Sequence, residues 1–539
     1  MAIKMGALFI LLFDLDFLGP LWKPFVRNDP FQGLYRANAF DLAILIPYFL
    51  VLVLLSIYGF HRYYLIYLYL RNRHKAPMPS KKFEHLPPVT VQLPLYNERY
   101  VVGRLLEAAT ALDYPREKLE IQVLDDSTDE TSQIAEELVR EYAARGHRVR
   151  YLHRRNRRGF KAGALAEGLR VAEGEFIAIF DADFVPPRNV LRQMVEYFTD
   201  PEVGVVQGRW TWLNRDYSLL TRVESLLLDG HFTIEHGGRN FSGLFFNFNG
   251  TAGMWRRAAI ESAGGWQHDT LTEDTDLSYR AQMKGWRFVY APHIACPSEL
   301  PVEMNAFKTQ QARWAKGLIQ NAKKLLPRIW KSPLPLRVKV EAFFHLTANI
   351  CYPLMVALAY LLLPAMILRA YQGWFQVLTI DLPLFLAATG SVSAFYLVAQ
   401  RELDPRGWKK SIKFVPLLMA IGIGLSLSNT KAVFEALLGW KSGFARTPKY
   451  CVEKGKDSWA SKEYSTGGGW TPVVELMHGG YFTFIFYYAA TGAHYIVTPF
   501  LMLFVAGYFY MGGMSLLQKP LRRLLPAASI RNLGSLTSG

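Results

Sequence analysis

The sequence predicts a cytosolic α/β domain inserted in an α-helical multi-pass membrane domain, and three observations support this fold class. Short apolar segments typical of buried strands alternate with helical segments between residues 89 and 180. Charged residues cluster in residues 79–333, and apolar runs of membrane length lie on both sides of that region. The formal net charge of +16 suits nucleic acid or an anionic membrane as a partner. The apolar runs decide for membrane lipids and against nucleic acid.

The N-terminal part, residues 1–78, is predicted to contain one spanning helix. The apolar run at residues 1–12 is too short to span, and no small-residue cleavage site follows, so no signal peptide is predicted. Residues 40–70 are long and apolar and end in a basic run at residues 71–75. A basic end is typical of the cytosolic side of a spanning helix. The next part of the chain is therefore expected to be cytosolic.

Residues 79–303 are predicted to form the α/β domain. Strands are predicted at residues 89–93, 119–124, 149–153 and 176–180, and helices at residues 101–112, at residues 131–145 and from Phe160. This alternation implies a parallel sheet covered by helices on both faces. Three of the strands end in polar or acidic clusters, namely Tyr96-Asn97-Glu98, Asp125-Asp126 and Asp181-Ala182-Asp183. Since ligands of open α/β sheets bind beyond the carboxyl ends of the strands, we expect these clusters to meet in one cleft.

The acidic clusters suggest a site for a divalent metal and a diphosphate. Asp181 and Asp183 offer the oxygen ligands that hard divalent cations prefer. A lone Asp-x-Asp is more often a solvated loop, but this one follows an apolar strand and two other polar strand ends, which favours the metal site. Asp125 and Asp126 could instead form a helix cap. Lys161 is either a solvated surface lysine or a ligand of a phosphate or sugar, since a cation is unfavourable at a helix start.

Residues 271–317 carry the groups that suit a group transfer. Thr272-Glu273-Asp274 supplies carboxylates at the start of a helical pattern, and a carboxylate can accept a proton. Gln310 and Arg313 form a possible anion clamp, and Trp314 offers a flat apolar surface for a sugar ring. These groups suit the displacement of a phosphate-type leaving group by a hydroxyl.

Four ordered motifs, Asp125-Asp126, Asp181-Ala182-Asp183, Thr272-Glu273-Asp274 and Gln310-x-x-Arg313-Trp314, resemble those of the inverting family 2 glycosyltransferases of the GT-A fold. The resemblance is greatest to the processive, membrane-embedded cellulose-synthase-like superfamily. Residues 248–253 and Glu299-Leu300-Pro301 are similar to motifs of plant cellulose-synthase-like mannan and glucan synthases and their bacterial relatives. The similarity covers about residues 89–449.

The resemblance implies a role for each motif residue. The donor nucleotide sugar is expected to contact Tyr96, Glu98, Asp125, Asp126, Lys161, Asp181 and Asp183. Mg²⁺ or Mn²⁺ is expected at Asp183 and Asp181. Asp274 would be the general base that deprotonates the acceptor hydroxyl. The acceptor and the diphosphate are expected to contact Glu273, Gln310, Arg313 and Trp314. A glycosidase-type carboxylate pair is the alternative for Glu273 and Asp274, but hydrolysis needs no diphosphate clamp.

The C-terminal part is predicted to return to the membrane. It divides into interfacial helices (residues 304–340), a transmembrane hairpin (341–400), an interfacial helix with a loop (401–472), and a C-terminal transmembrane hairpin and tail (473–539). The spanning helices expected here are residues 345–368, 382–399, 473–490 and 494–511, which makes five with the first. Residues 414–427 are short and are predicted to lie at the interface, because crossing would place a lysine-rich loop outside.

The loop at residues 444–449 resembles the gating loop of cellulose synthases through Phe444, Thr447 and Lys449. Arg446 stands where the family usually has Val, and Pro448 also departs from the family pattern. An ordinary turn is the alternative interpretation.

The sequence favours a processive synthase in the plasma membrane (the inner membrane of a bacterium). It would elongate a β-linked glucan or mannan from UDP-glucose or GDP-mannose and export the growing glycan. A non-processive transferase that glycosylates a lipid is the alternative. A catalytically silent scaffold is disfavoured because Asp183, Asp274 and Trp314 are all present. The sugar, the linkage and the oligomeric state stay open.

Overall fold

The computed structural model describes residues 38–369, 380–440, 446–453, 457, 459, 462, 464, 469–492 and 497–524. Its centre is a seven-stranded sheet with the order β3-β2-β1-β4-β6-β5-β7. The strands are β1 (Val89–Leu95), β2 (Leu119–Asp125), β3 (Val149–His153), β4 (Phe176–Ile179), β5 (Val203–Trp212), β6 (Gly253–Arg256) and β7 (Arg287–Ser298). The four predicted strands are therefore confirmed as β1 to β4, with ends that differ by at most two residues.

The helices follow the same chain order. They are α1 (Ala39–Asn72), α2 (Val102–Thr110), α3 (Thr131–Ala144), α4 (Phe160–Val171), α5 (Val190–Val195), α6 (Leu219–Gly230), α7 (Gly237–Phe241), α8 (Arg257–Ser262), α9 (Glu273–Met283), α10 (Met304–Lys331), α11 (Leu336–Thr347), α12 (Cys351–Leu368), α13 (Leu382–Phe385), α14 (Ser391–Leu403), α15 (Val415–Gly424), α16 (Ser426–Leu438), α17 (Thr471–Thr491) and α18 (Thr498–Leu524).

The four strands predicted from the sequence pair in parallel, as expected, whereas the complete sheet is mixed because of β6. This strand runs antiparallel to both β4 and β5. The chain reaches β6 through Ala252, whose N–H donates to the Ile179 carbonyl at the carboxyl end of β4 (2.9 Å). Because β6 starts beside the carboxyl end of β4, it must run back in the opposite direction. The other neighbouring pairs are parallel.

Helices cover both faces of the sheet, as predicted. Along β4, Phe176 and Ala178 belong to one apolar core, and Ile177 and Ile179 belong to the core on the other face. This alternation within a fully buried strand is what a sheet with two covered faces requires. The strand ends, which carry the polar clusters, are thereby held in place by two packed layers.

Four helical segments among the described residues are long and apolar enough to cross a membrane. They are Ala39–Lys75, Leu336–Leu368, Leu382–Leu403 and Thr498–Gln518, and each contains most of one predicted span. The helix α17 forms where a fifth span was predicted but is not among them. Glu475 and His478 lower the mean hydropathy of this helix. Its hydropathy therefore does not support the predicted span.

A bent pair of helical segments is the other candidate for a fifth span. Its first segment is Trp408–Gly424, which includes α15, and its second is α16. The pair turns by 43° at Leu425, as a broken span or a re-entrant segment would. Near its start, the Ser411 hydroxyl donates to Gln400, whose amide donates to Asp229 of α6. Near its end, Glu435 accepts a hydrogen bond from Lys316 of α10 (2.7 Å). Both ends therefore contact residues that lie next to the α/β domain.

Buried ion pairs join helices that are distant in the chain. Arg239 of α7 donates to Glu341 of α11 (2.8 Å), and His61 of α1 contacts the same carboxylate (2.8 Å). Lys308 of α10 pairs with Glu475 of α17 (2.6 Å). Removing one partner of such a pair would leave a buried charge uncompensated and should destabilise the fold.

Candidate active site

A cleft lies at the carboxyl ends of β1, β2 and β4, where the sequence predicts the ligand site. Its cavity has a volume of about 180 Å³. The predicted site residues that line it are Tyr96, Glu98, Asp126, Lys161, Asp181, Asp183, Glu273, Asp274, Gln310, Arg313, Trp314, Thr447 and Lys449. Asp125 does not line the cavity, and Phe444 lies outside the described residues. The structure thus brings distant motifs into one site.

Asp274 lies in the first turn of α9 and faces the cleft. One carboxylate oxygen accepts the N–H of Thr275 (2.7 Å). The other lies close to Gly250, where an added Cβ would lie 3.0 Å from it. Gly250 also has a φ of +79°, so glycine is favoured there on both grounds. Burial raises the pKa of Asp274 from 3.8 to about 7, and the charge of Glu273 adds to the rise. Asp274 can therefore accept a proton near neutral pH.

Lys161 projects from the start of α4 into the same cleft. Its ammonium group donates to the Asp181 carboxylate and to the Gly250 carbonyl (2.9 Å). Burial by itself would lower the pKa of Lys161, but Asp181 and Glu273 outweigh it and raise the pKa. Lys161 is thus a cation that lines the cleft and not a solvated surface lysine.

Asp181 and Asp183 follow β4 and meet two lysines. The Asp181 N–H donates to the Thr251 hydroxyl (2.8 Å), which orients the turn. Asp183 accepts a hydrogen bond from Lys449 (2.8 Å). Within the described part of the chain, no group of three or more His, Cys, Asp or Glu side chains could hold a metal ion. Two carboxylates still fit Mg²⁺ or Mn²⁺, because such ions take further ligands from phosphates and water.

The remaining strand-end residues are held by arginines. Glu98, after β1, accepts two hydrogen bonds from Arg446 (both 3.1 Å). Asp126, after β2, accepts the Nε–H of Arg154 (2.6 Å). Burial raises the pKa of Glu98 to about 7, although Arg446 opposes the rise. Arg446 and Lys449 therefore bring the loop at residues 446–450 into direct contact with the cleft.

Asp125 was predicted to contact the donor, but the structure does not place its side chain in the cleft. Its side chain is completely buried and accepts hydrogen bonds from the Ser127 N–H (3.0 Å), the Ser132 hydroxyl (2.7 Å) and the Tyr151 hydroxyl (2.8 Å). His153 contacts the same carboxylate at 2.9 Å. Burial would raise its pKa, but these hydrogen bonds outweigh it and lower the pKa. Asp125 ties β2 to β3 and α3 rather than facing a ligand.

One face of α10 presents Gln310, Arg313 and Trp314 to the cleft, at the i, i+3 and i+4 spacing of neighbours on a helix. The Gln310 side-chain oxygen is buried without a hydrogen-bond partner among the described residues. Burial lowers the pKa of Arg313, while Glu273 and Asp181 oppose that change. Arg313 can donate hydrogen bonds to an anion in the cleft, and the Gln310 oxygen can accept one from a hydroxyl.

Two site arginines were missed by the sequence reasoning. The Arg157 guanidinium lies 3.3 Å from the centroid of the Tyr96 ring and lines the cleft, and Arg154 orients Asp126. The available signal was the basic run at residues 154–158, directly after a strand whose end faces the cleft. Trp210 at the end of β5 also lines the cavity.

Comparison with known sequences identifies relatives. The family described as "Glycosyltransferase like family 2" matches residues 87–317. Glucomannan 4-beta-mannosyltransferase 2 of Arabidopsis thaliana is 44% identical over 250 residues, which cover 46% of this chain and 47% of that protein. Glucomannan 4-beta-mannosyltransferase 1 of Cyamopsis tetragonoloba is 34% identical over 368 residues, 67% of each chain. The match spans about half the length of the Arabidopsis relative.

Comparison with solved structures finds mannosyltransferase PcManGT from Pyrobaculum calidifontis, in complex with GDP-Man and Mn²⁺. It is 23% identical, with a TM-score of 0.47, and the match covers 72% of this chain and 99% of that one.

Proposed function

Because the chain belongs to glycosyltransferase family 2, we propose that it elongates a β-linked glycan from a nucleotide sugar, with inversion at the anomeric carbon. The observation that carries this proposal is the position of Asp274. A carboxylate whose pKa is raised to about 7 shares one cleft with Lys161, Arg313 and the Asp181–Asp183 pair. One proton acceptor beside a cluster of cations suits a single displacement of a diphosphate by a hydroxyl.

In the proposed reaction, the acceptor hydroxyl loses its proton to the Asp274 carboxylate as its oxygen attacks the anomeric carbon. The bond from that carbon to the diphosphate breaks in the same step, and the diphosphate leaves with the electron pair. Lys161 and Arg313 stabilise the charge that develops on it, since fixed cations in a cleft need little reorganisation. Trp314 and Gln310 orient the acceptor sugar so that the hydroxyl faces the base.

Asp181 and Asp183 would hold Mg²⁺ or Mn²⁺ in this scheme. When bound, the metal would offset charge on the leaving diphosphate. Support comes from the two carboxylates that line the cleft, since carboxylate oxygens are the ligands that such ions prefer.

We propose GDP-mannose as the donor and a β-mannan or glucomannan as the product. Support comes from the names of the relatives, which are glucomannan 4-beta-mannosyltransferases. UDP-glucose is the competing donor, since both nucleotides share the diphosphate that the cleft would bind. Product length separates a processive synthase from a transferase that adds one sugar to a lipid.

The proposed setting is the plasma membrane, or the inner membrane of a bacterium, with the cleft in the cytosol. Four segments with the length and composition of spans support a membrane protein. The contacts of Glu98 with Arg446 and of Asp183 with Lys449 support a loop on the same side as the cleft. We propose that the product leaves through the helices of the chain itself.

The test is to incubate the purified protein with radiolabelled GDP-mannose or UDP-glucose and digest the product with linkage-specific hydrolases. We expect a β-mannanase-sensitive polymer from GDP-mannose. A product with a single added sugar would contradict processive synthesis, and release of free sugar alone would contradict the transferase proposal.

A further inference from the structure

The cleft contains a conflict between Lys449 and the proposed metal. Lys449 donates to Asp183 (2.8 Å) and to the Glu299 carbonyl (3.1 Å), and its side chain is buried. A divalent cation at Asp183 would meet the lysine ammonium at short range, which costs free energy because like charges repel strongly in a partly buried site. Lys449 must therefore find another partner when a metal and a nucleotide bind.

Most of the carboxylates near Lys449 are already occupied. Glu98 accepts two hydrogen bonds from Arg446. The Glu299 carboxylate accepts one from the Tyr450 N–H (2.9 Å) and one from Arg104 (3.1 Å). Each of these carboxylates already has its charge paired with an arginine, so either would have to share that charge with the ammonium group.

Glu224, on α6, is the exception. Its side chain is 1% exposed, and neither carboxylate oxygen has a hydrogen-bond partner in the part of the chain that the structure describes. Burial raises the pKa of Glu224 to about 8. The charge of Lys449 lowers this pKa and that of Asp183 raises it. A buried carboxyl without a partner is costly, and such groups are seldom kept without a reason.

We infer that Glu224 is a positioning residue that receives the Lys449 ammonium when a divalent cation and a nucleotide diphosphate occupy Asp183. The lysine then exchanges one carboxylate for another inside the protein, so that no buried charge is left unpaired in the loaded state. Glu224 gains its missing partner in the same movement. This inference rests on the proposed function, because it presumes a metal and a diphosphate at the cleft.

The test is a double-mutant cycle on Mn²⁺ binding, read from the electron paramagnetic resonance of free Mn²⁺ at saturating GDP or UDP. Glu224→Gln keeps the shape of the protonated side chain but cannot become a carboxylate. We expect it to weaken Mn²⁺ binding by about tenfold, the scale of one charge-assisted hydrogen bond. Lys449→Met removes the lysine, and in that background Glu224→Gln should have no further effect.

Asp229→Asn is the matched control, since Asp229 is a buried carboxylate on the same helix that has partners in Trp212, Arg215 and Gln400. It should lower the thermal unfolding temperature without changing Mn²⁺ affinity, whereas Glu224→Gln should change affinity without lowering that temperature.

Unchanged Mn²⁺ affinity in Glu224→Gln would overturn the inference, and so would equal weakening with and without Lys449. These results would leave the proposed function intact as long as the wild-type chain binds Mn²⁺ with a nucleotide. A wild-type chain that binds Mn²⁺ with neither GDP nor UDP would overturn the proposed function and this inference with it.

Discussion

Asp274→Asn tests the proposed base, because the change keeps the shape of the side chain and removes its ability to accept a proton. The pKa of Asp274 rises from 3.8 to about 7 through burial and the charge of Glu273. At about 1.4 kcal/mol for each pKa unit, the ionised form costs about 4 kcal/mol more in the cleft than in water. That cost makes Asp274 a stronger base than an ordinary carboxylate. Loss of general-base catalysis should lower kcat by about 10²–10⁴-fold.

The same pKa sets the pH dependence of the wild-type reaction. A general base must be ionised, so kcat/KM for the nucleotide sugar should rise with pH through about 7 and then level off. Stability should change in the opposite sense. Because the folded pKa lies above the unfolded one, the stabilising contribution of protonated Asp274 is complete below 3.8 and is lost as pH rises through about 7.

The assay is sugar transfer from radiolabelled donor between pH 5.5 and 8.5, with donor binding measured in parallel. Asp274→Asn should keep donor affinity and lose the rising limb of the pH profile. Glu273→Gln is the companion variant, and it should move that limb to lower pH because it removes the neighbouring negative charge. Wild-type turnover in Asp274→Asn, or an unchanged pH profile in Glu273→Gln, would refute the reasoning.

Three further predictions follow from the site. Asp183→Ala, or EDTA on the wild-type protein, should abolish transfer and Mn²⁺-dependent nucleotide binding, and full activity in chelator would contradict the metal site. Asp125→Asn should lower the free energy of unfolding by about 1–3 kcal/mol, because it disturbs a buried hydrogen-bond network, while kcat changes little; denaturant unfolding and transfer assays would separate the two effects. A cysteine at Trp440, an exposed position directly before the loop, should react with an impermeant maleimide only when the cytosolic face is open. Labelling in sealed right-side-out cells would mean that the bent helix pair crosses the membrane.

Local sequence patterns determined much of this protein. The strands β1, β2 and β4 were predictable because each is short, is buried along nearly its whole length and ends in polar residues, and β3 was predictable as a short strand pattern at the partly exposed edge of the sheet. The carboxyl-end rule then sufficed to gather Asp126, Asp181 and Asp183 at one cleft. Four of the five predicted spans also coincide with helical segments long and apolar enough to cross a membrane, since hydropathy over about 20 residues is a local property.

The tertiary structure decided what depends on partners distant in the chain. The antiparallel direction of β6 follows from where the chain enters the sheet, which four residues cannot encode. Asp125 and Asp126 are adjacent in sequence, yet Asp125 accepts hydrogen bonds from buried donors and Asp126 lines the cleft. The reason is that successive side chains at a strand end point to opposite sides. The pairing of Lys449 with Asp183, and the lack of any partner for Glu224 among the described residues, arise only when separate segments pack together. Burial then sets the charge of each group, and burial is a property of the whole fold.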